Sequence, residues 1–147
     1  MAADGTDHEL IEDNVVEGSS HGYPYITLFS DDSSIVRHNT FADGDCAFNI
    51  RCGVVRLGNK DSDDLGHGTI IEDNILGEIS VESGTVARRS HNLLANDSPS
   101  GTGEIRGKPT YVGGASPSTY AGFRLKTGSL GLRAASDRTN IGAPITP

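Results

Sequence analysis

The stretch that decides the fold reads IIEDNIL over residues 70–76. Related phrases read LIEDNVV over residues 10–16, IVRHNTF over residues 35–41 and RRSHNLL over residues 88–94. The first three share the order apolar, polar, polar, Asn, any residue, apolar, and the fourth keeps the Asn and the apolar pair after it. Self-similarity of this kind is the signature of a repeat architecture.

The repeated Asn predicts a bend between two short strands, each of which sends an aliphatic side chain inward. Asn suits such a bend because it tolerates the left-handed backbone region and hydrogen-bonds locally. If the repeats stack, equivalent Asn side chains lie above one another and bond from coil to coil. The sequence therefore predicts a structural ladder of Asn14, Asn39, Asn74 and Asn92.

The spacing of the repeats fits a solenoid with one insertion. Successive Asn residues are 25, 35 and 18 residues apart, and a coil of roughly 20–30 residues accounts for the first interval. The second interval requires a loop, which the Gly- and Asp-rich residues 58–66 supply. Strand-like runs at residues 25–29, 46–51, 54–57 and 79–81 would form the remaining sides. The alternative is an antiparallel β-sandwich, although tight hairpin signals are scarce.

Composition and charge narrow the class of protein. The hydrophobic fraction is 35%, there are 19 glycines, and no window has the periodicity of a long amphipathic helix. The formal charge of −8 argues against a nucleic-acid partner, which requires clustered Lys and Arg beyond the one adjacent pair at residues 88–89. No apolar run approaches the roughly 18–20 residues that span a bilayer. The amino terminus lacks the pattern of a secretion signal.

Four phrases near the carboxyl end carry a resemblance to a known family. They read GKPTYV over residues 107–112, FRL over 123–125, GSLG over 128–131 and NIGA over 140–143. With its coil phrases, the chain resembles the right-handed parallel β-helix superfamily, the pectate-lyase-like group, in which many bacterial members end with similar phrases. Here Leu and Asn, at residues 130 and 140, stand where the group usually has Pro and Asp.

The resemblance implies an all-β fold, a right-handed parallel β-helix with an irregular carboxyl-terminal tail, and the chain length leaves room for about three to four coils. Residues 1–147 would form one domain, with the coils in residues 1–96 and the closing loop and tail in residues 97–147. Nothing near the amino terminus resembles a cap, and solenoids need covered ends. We therefore expect a homo-oligomer that forms through the amino-terminal coil. The family analogy also suggests an extracellular or cell-envelope setting.

The function expected from these features is a non-catalytic β-helix module, a carbohydrate-associated or surface scaffold that self-associates through its uncapped amino-terminal end. One alternative is a fragment of a polysaccharide lyase or glycoside hydrolase acting on acidic polysaccharide. Another is a segment of a phage tailspike or adhesin fibre. No cofactor is expected, with Ca²⁺ as the exception discussed next.

Two groups of residues are candidates for ligand contacts. Tyr23 and Tyr25 could stack on a polysaccharide, with strand-edge packing as the competing interpretation. Asp61, Asp63 and Asp64, with Asp31 and Asp32 as additional ligands, could bind Ca²⁺ because that ion takes oxygen ligands. The spacing does not match an EF-hand, and a solvated acidic loop is the preferred interpretation.

The repeat alignment also predicts columns of charged and titratable side chains. Glu12, Arg37, Glu72 and Arg89 are expected to form a column of alternating sign, which stabilises adjacent strands modestly. His38 and His91 occupy equivalent positions, with Asp13 and Asp73 in the same column, and are expected to be bend residues rather than general bases. Cys46 and Cys52 are expected to be free, largely buried thiols.

Overall fold

The computed structural model describes residues 2–4, 7–17, 26–42, 54–58 and 66–146. Its named strands form three sheets, and every ladder between these strands is parallel. The chain is therefore all-β with parallel sheets, and the antiparallel β-sandwich alternative is wrong.

The strands of each sheet are hydrogen-bonded as follows. Sheet A runs in the order β1 (Ala2–Asp4), β4 (Ile26–Phe29), β7 (Val54–Gly58), β10 (Glu78–Val81). Sheet B runs in the order β2 (Leu10–Glu12), β5 (Ile35–Arg37), β8 (His67–Glu72), β11 (Val86–Ser90). Sheet C runs in the order β3 (Val15–Val16), β6 (Thr40–Phe41), β9 (Ile75–Leu76), β12 (Leu93–Leu94), β13 (Ile105–Arg106). A short 3₁₀ helix, Tyr120–Phe123, lies near the carboxyl end.

Consecutive strands enter sheets A, B and C in turn, so that each set of three strands forms what we call a layer. The first layer contains β1–β3, the second β4–β6, the third β7–β9 and the fourth β10–β12. Strand β13 adds a fifth strand to sheet C and lies within the residues that the sequence assigns to the tail. Residues 107–146, which follow β13, are called the tail below.

The main hydrophobic core lies between the three sheets. Sheet B contributes Ile11, Val36 and Ile71, whose backbones are paired in register. The other two sheets contribute further aliphatic side chains and one aromatic side chain: Ile26, Leu28, Val55, Leu57 and Ile79 from sheet A, and Phe41, Leu76 and Leu94 from sheet C. Burying each such side chain stabilises the fold by about 1.5–3 kcal/mol.

A second hydrophobic cluster lies on the outer face of sheet C, beneath the tail. Side chains alternate across a strand, so Leu76 and Leu94 point into the main core whereas Ile75 and Leu93 point outward. Ala135 and Ile141 of the tail are buried against the outward pair, together with partly buried side chains nearby. The tail therefore covers an apolar sheet face that would otherwise be exposed to water.

The bends between sheets B and C follow the repeated phrase, but the left-handed residue differs from the sequence prediction. The residue before each Asn has positive φ, namely Asp13 (60°), His38 (51°), Asp73 (59°) and His91 (50°). The expectation that Asn itself takes the left-handed conformation is wrong. Its side chain is bonded to the next layer, and the residue before it absorbs the sharp turn.

The predicted column of alternating charges is correct for only three of its members. Glu12 pairs with Arg37, and Arg37 pairs with Glu72, but the residue opposite Glu72 in β11 is Ser90. The 18-residue offset that aligns the last two Asn residues also aligns Ser90 with Glu72. Placing Arg89 in this column is therefore wrong, because its backbone pairs with the buried Ile71 of the core column instead.

Candidate functional site

Hydrogen bonds between Asn side chains run through all four layers. Asn39 donates from its backbone N and from Nδ2 to Oδ1 of Asn74, at 3.0 Å in both cases. Asn74 makes the same two bonds to Oδ1 of Asn92, and Asn14 makes them to Oδ1 of Asn39. Asn39, Asn74 and Asn92 are fully buried. The ladder therefore satisfies polar groups that would be costly to bury unpaired.

A carboxylate takes the fifth position of this ladder. Glu104 precedes β13 as Asn92 precedes β12, and those two strands are paired in register. Nδ2 of Asn92 donates to Oε1 of Glu104 at 3.1 Å. Gly103 has a φ of 69°, and a side chain at this position would overlap the imidazole of His91. Residues 103–106, which read GEIR, are therefore a fifth copy of the bend in which Glu replaces Asn.

The ladder ends in an ion cluster that closes the core at the fourth layer, which we call the closing cluster. Nε of Arg89 donates to Oε1 of Glu104 at 2.8 Å, and Nη2 of Arg89 lies 3.0 Å from Oδ2 of Asp97. The backbone N atoms of Ser100 and Gly101 donate to Oε2 of Glu104 at 2.9 and 2.8 Å. The Glu104 side chain is fully buried, and 17% of the Arg89 side chain is exposed.

Two charges of the closing cluster, those of Glu104 and Arg89, are stabilised by their partners. Burial opposes the ionisation of Glu104, but hydrogen bonds from Arg89, two backbone N–H groups and Asn92 outweigh it and lower the pKa of the carboxyl. Burial likewise opposes the charge of Arg89, and the carboxylates of Glu104 and Asp97 overcome it and raise the pKa of the guanidinium. Arg89, paired with two carboxylates, thus follows Ile11, Val36 and Ile71 as the last member of the inward column of sheet B.

Asp73 fastens the tail to the bend of the third layer. The backbone N and Oγ of Ser136 donate to Oδ1 and Oδ2 of Asp73 at 2.7 and 2.5 Å. The backbone N of Gly142 donates to the backbone O of Asp73 at 2.8 Å, and the backbone N of Ala143 donates to Oγ1 of Thr40 at 3.0 Å. The Asp73 side chain is only 2% exposed. The same residue therefore forms the bend and holds the tail.

His38 lies between this anchor and a second carboxylate, at the edge of a polar groove. Its Nε2 is 3.7 Å from Oδ2 of Asp73 and 3.7 Å from Oδ2 of Asp137. The groove has a volume of about 370 Å³ and is lined by Glu12, Asp13, Arg37, His38, Asp137, Thr139 and Pro144. It is the candidate functional site because it gathers ionisable groups from the first two layers and the tail.

The hydroxyl of Ser136, which lies next to this groove, is not arranged as a nucleophile. Ser136 donates its proton to Asp73, whereas an activated serine donates to a histidine base. The imidazole of His38 faces the two carboxylates instead. The contacts of Ser136 and Asp73 therefore hold the tail against the bend and do not form a nucleophile and its base.

One carboxylate of the groove, Asp137, is unsuited to proton donation, and Glu12 is held by an arginine. Nε of Arg37 donates to Oε2 of Glu12 at 2.9 Å, and the two side chains form an exposed ion pair. Thr139 donates from Oγ1 and from its backbone N to Oδ1 of Asp137, and these bonds lower the pKa of that carboxyl. A general acid in glycoside hydrolysis needs a raised pKa. The geometry therefore gives the hydrolase interpretation no support.

Replacing Asp73 with Ala is expected to loosen the tail. The backbone N and Oγ of Ser136 would lose their acceptors, and the loss of two partly buried bonds costs about 2–3 kcal/mol. Hydrogen exchange of peptides from the tail would measure the change. Asp13→Ala is the matched control, because Asp13 has the same left-handed backbone but is exposed. Equal effects of the two substitutions would contradict the anchoring role.

The residues predicted as Ca²⁺ ligands are only partly within the described chain. Oδ1 of Asp31 accepts a bond from the Ser34 hydroxyl at 2.6 Å, and Oδ2 accepts one from the Thr69 hydroxyl at 2.9 Å. Oδ1 of Asp32 accepts a bond from the backbone N of His67 at 2.5 Å. No group of His, Cys, Asp and Glu in the described residues is placed to hold a metal ion. Several other predictions fall outside those residues, namely those for Tyr23, Tyr25, Cys46, Cys52, Asp61, Asp63 and Asp64.

Comparisons with known proteins do not extend this description. A scan against protein-family models, a search of curated proteins and a search of solved structures each found no match to this chain. In the part of the chain that the structure describes, no helix is long and apolar enough to cross a membrane. The layers, their two ends and the tail are therefore the features that bear on the function.

Sequence reasoning missed four residues of these clusters: Asp97, Glu104, Ser136 and Asp137. A signal for Glu104 exists, because GEIR follows the same order as HNLL, with a residue that tolerates positive φ, a polar side chain and an aliphatic side chain. A search restricted to Asn does not find it. The other three residues lie in irregular segments, where no repeat marks them.

Proposed function

We propose that this chain is a right-handed parallel β-helix module without catalytic activity, a carbohydrate-associated or surface scaffold that self-associates through its first layer. The parallel order of sheets A, B and C supports the solenoid, since each layer then corresponds to one coil. The association with carbohydrate rests on the resemblance of the coil and tail phrases to the pectate-lyase-like group.

The observation that carries the proposal is the contrast between the two ends of the layers. In the described residues, β1, β2 and β3 each pair with a strand on one side only. At the other end, β10, β11 and β13 are also edge strands, but Thr102 bridges Ser90 of β11, and the closing cluster covers the core with charges that are already paired. An edge strand with unpaired backbone groups is a template for another chain. The first layer is therefore the end at which we expect a second copy to bind.

The backbone of β2 shows which groups are open to a partner. The backbone N of Ile35 donates to the backbone O of Glu9 at 2.8 Å. The C=O and N–H of one trans peptide point in opposite directions, so the N–H of Leu10 points away from the second layer. The Leu10 side chain is 51% exposed. A substitution at Leu10 can therefore test whether a second copy pairs with the edge of β2.

Leu10→Pro is expected to prevent self-association while preserving the fold. Proline removes only the outward N–H at this position, and proline is tolerated on an edge strand. Light scattering across a concentration series would show the mass of the wild type rising and that of the variant remaining monomeric. Leu10→Ala is the control, because it removes the exposed side chain but keeps the N–H. A wild type that stays monomeric at high concentration would overturn the proposal, and a fixed trimer would favour the fibre alternative.

A further inference from the structure

A second cavity lies between the outer face of sheet C and the tail. Thr40 of β6 and Ile75 of β9 form its floor, and residues 123–125, 139–141 and 143–146 of the tail form its walls. Its volume is about 260 Å³, below the range of about 300–1,000 Å³ that is usual for drug-sized ligands. The size of the cavity therefore suits a small molecule.

Most side chains that line this cavity are apolar. They are Ile75, Phe123, Leu125, Ile141, Ala143, Pro144 and Ile145. The ring of Phe123 packs edge-to-face on Tyr111, with 5.4 Å between the ring centroids, so its position is fixed. Among the described side chains that line the cavity there is no carboxylate, and Arg124 is the one charged group. The lining therefore combines an apolar surface with a single positive charge.

Arg124 has no partner for its charge in the part of the chain that the structure describes. Its backbone N donates to the backbone O of Ala121 at 3.3 Å, and its backbone O accepts from the backbone N of Val112 at 2.9 Å. Its side chain is half-buried and forms neither an ion pair nor a hydrogen bond with a described residue. Removing water from a charge is costly unless a partner replaces it. An anion in the cavity would supply that partner.

Two further donors lie at the rim of the cavity. Oδ1 of Asn140 accepts from the backbone N of Arg133 at 3.1 Å, whereas Nδ2 of Asn140 and the hydroxyl of Thr146 bond to no described residue. Asp137, the one acidic residue of the tail, does not line this cavity, and its Oδ1 is bonded to Thr139. The described lining therefore offers donors and a positive charge without a carboxylate that would repel an anion.

The bonds that fasten the tail also fix the walls of the cavity. The backbone N of Gly142 donates to the backbone O of Asp73 at 2.8 Å, and the backbone N of Ala143 donates to Oγ1 of Thr40 at 3.0 Å. Gly142 has a φ of 92°, and a side chain at this position would overlap Thr40 and Ile75. A preformed site loses less binding free energy to the ordering of the protein. The cavity is therefore prepared for a ligand before one enters.

We propose that this cavity binds a small organic acid that carries one carboxylate on an apolar, aromatic body. The planar guanidinium of Arg124 matches a carboxylate through two parallel N–H···O bonds, and the apolar walls pack against the ring. A sugar fits less well, because its hydroxyl groups would be buried with few partners. A second charge on the ligand would meet no second cation in the described lining. The site uses no residue of the first layer, so it is independent of the proposed self-association.

Titration of the wild-type chain with benzoate, followed by two-dimensional ¹H–¹⁵N NMR, tests this proposal. We expect saturable shifts at backbone amides of residues 123–125 and 139–146, with a Kd of about 1 mM or below. Benzamide is the control for the charge, because it joins the same ring to an uncharged amide. Acetate is the control for the ring, because it has the carboxylate and almost no apolar body. Both controls are expected to bind at least about tenfold more weakly than benzoate.

Arg124→Met separates a specific contact from a general attraction of the tail for anions. The substitution keeps an apolar side chain and removes the guanidinium, so the affinity for benzoate is expected to fall at least about tenfold. Lys126→Met is the matched control, because it removes the same charge from an exposed side chain that does not line the cavity. Its effect on the affinity is expected to stay below about twofold. Arg124→Lys keeps the charge without the planar pair of donors and should bind benzoate with intermediate affinity.

Each element of the proposal has a result that would overturn it. Equal binding of benzoate and benzamide would contradict recognition of the carboxylate, and equal binding of acetate would contradict a role for the apolar walls. Equal losses in Arg124→Met and Lys126→Met would show that net charge alone attracts the ligand. Shifts confined to other residues, or no saturable shift up to about 10 mM benzoate, would overturn the site. A chain that binds benzoate but stays monomeric would leave this inference standing while the proposed self-association fails.

Discussion

Replacing Glu104 with Ala is expected to lower the free energy of unfolding by about 3 kcal/mol, because it leaves the half-buried Arg89 with one partner fewer. Asn92 would also lose the acceptor that ends the Asn ladder. Urea unfolding followed by circular dichroism would measure the loss. Glu12→Ala is the matched control: it removes a carboxylate from an arginine pair that is exposed, and exposed pairs contribute about 0–1 kcal/mol.

The same carboxylate predicts a dependence of stability on pH. The pKa of Glu104 in the folded chain is lower than its ordinary value of about 4.3, so the unfolded chain binds the proton more readily. Its contribution is therefore fully present above that ordinary value and is lost as the pH falls through the lowered pKa of the folded state. Glu104→Gln should therefore reduce the fall in the free energy of unfolding over this acidic pH range. Losses of similar size in Glu104→Ala and Glu12→Ala would contradict the closing role.

Asn74→Ala is expected to be the other strongly destabilising substitution, at about 4 kcal/mol. Oδ1 of Asn74 accepts two bonds from Asn39, and Nδ2 donates to Asn92 and to the backbone O atoms of Val36 and Glu72. Removing the side chain leaves several of these groups unpaired in a site that is fully buried. Chemical unfolding of the purified variant would give the value.

Asn14 provides the matched control for this substitution. It has the same place in the repeated phrase and bonds to Asn39, but it is exposed, and no Asn side chain of a preceding layer bonds to it in the described residues. Asn14→Ala is therefore expected to cost about 0.5–1 kcal/mol, since water replaces the lost bonds. If both Asn variants unfold at the same urea concentration, the ladder does not stabilise the buried layers in the way described.

The repeated phrase made the strands and bends of the described layers predictable. Aliphatic residues before and after a polar pair define two strands that share an interior, and the structure has β8 and β9 at the phrase over residues 70–76. The phrase predicts the wrong left-handed residue because Asn, Asp and His all tolerate that conformation, so local propensity does not decide between the Asn and the residue before it. In the folded chain the Asn side chain is held by the adjacent layer, and Asp73 takes the strained backbone instead.

The groove and the closing cluster were not predictable from the same reasoning. The alternation of charge places Arg89 in a surface column, whereas its position three residues before Asn92 pairs its backbone with Ile71 of the core column. A buried charge becomes tolerable only when partners surround it. Those partners, Glu104 and Asp97, follow at distances along the chain that no periodicity links to Arg89.

The sequence by itself determined the repeated bend, the aliphatic columns and the positions at which buried Asn side chains stack. These features follow from local rules, because each phrase specifies which side chains are apolar and which can bond along the stack. Only the tertiary structure decided how the last layer closes and how the tail docks. Those contacts join Arg89 to Glu104 and Asp73 to Ser136, and each depends on partners that meet only after the layers have stacked.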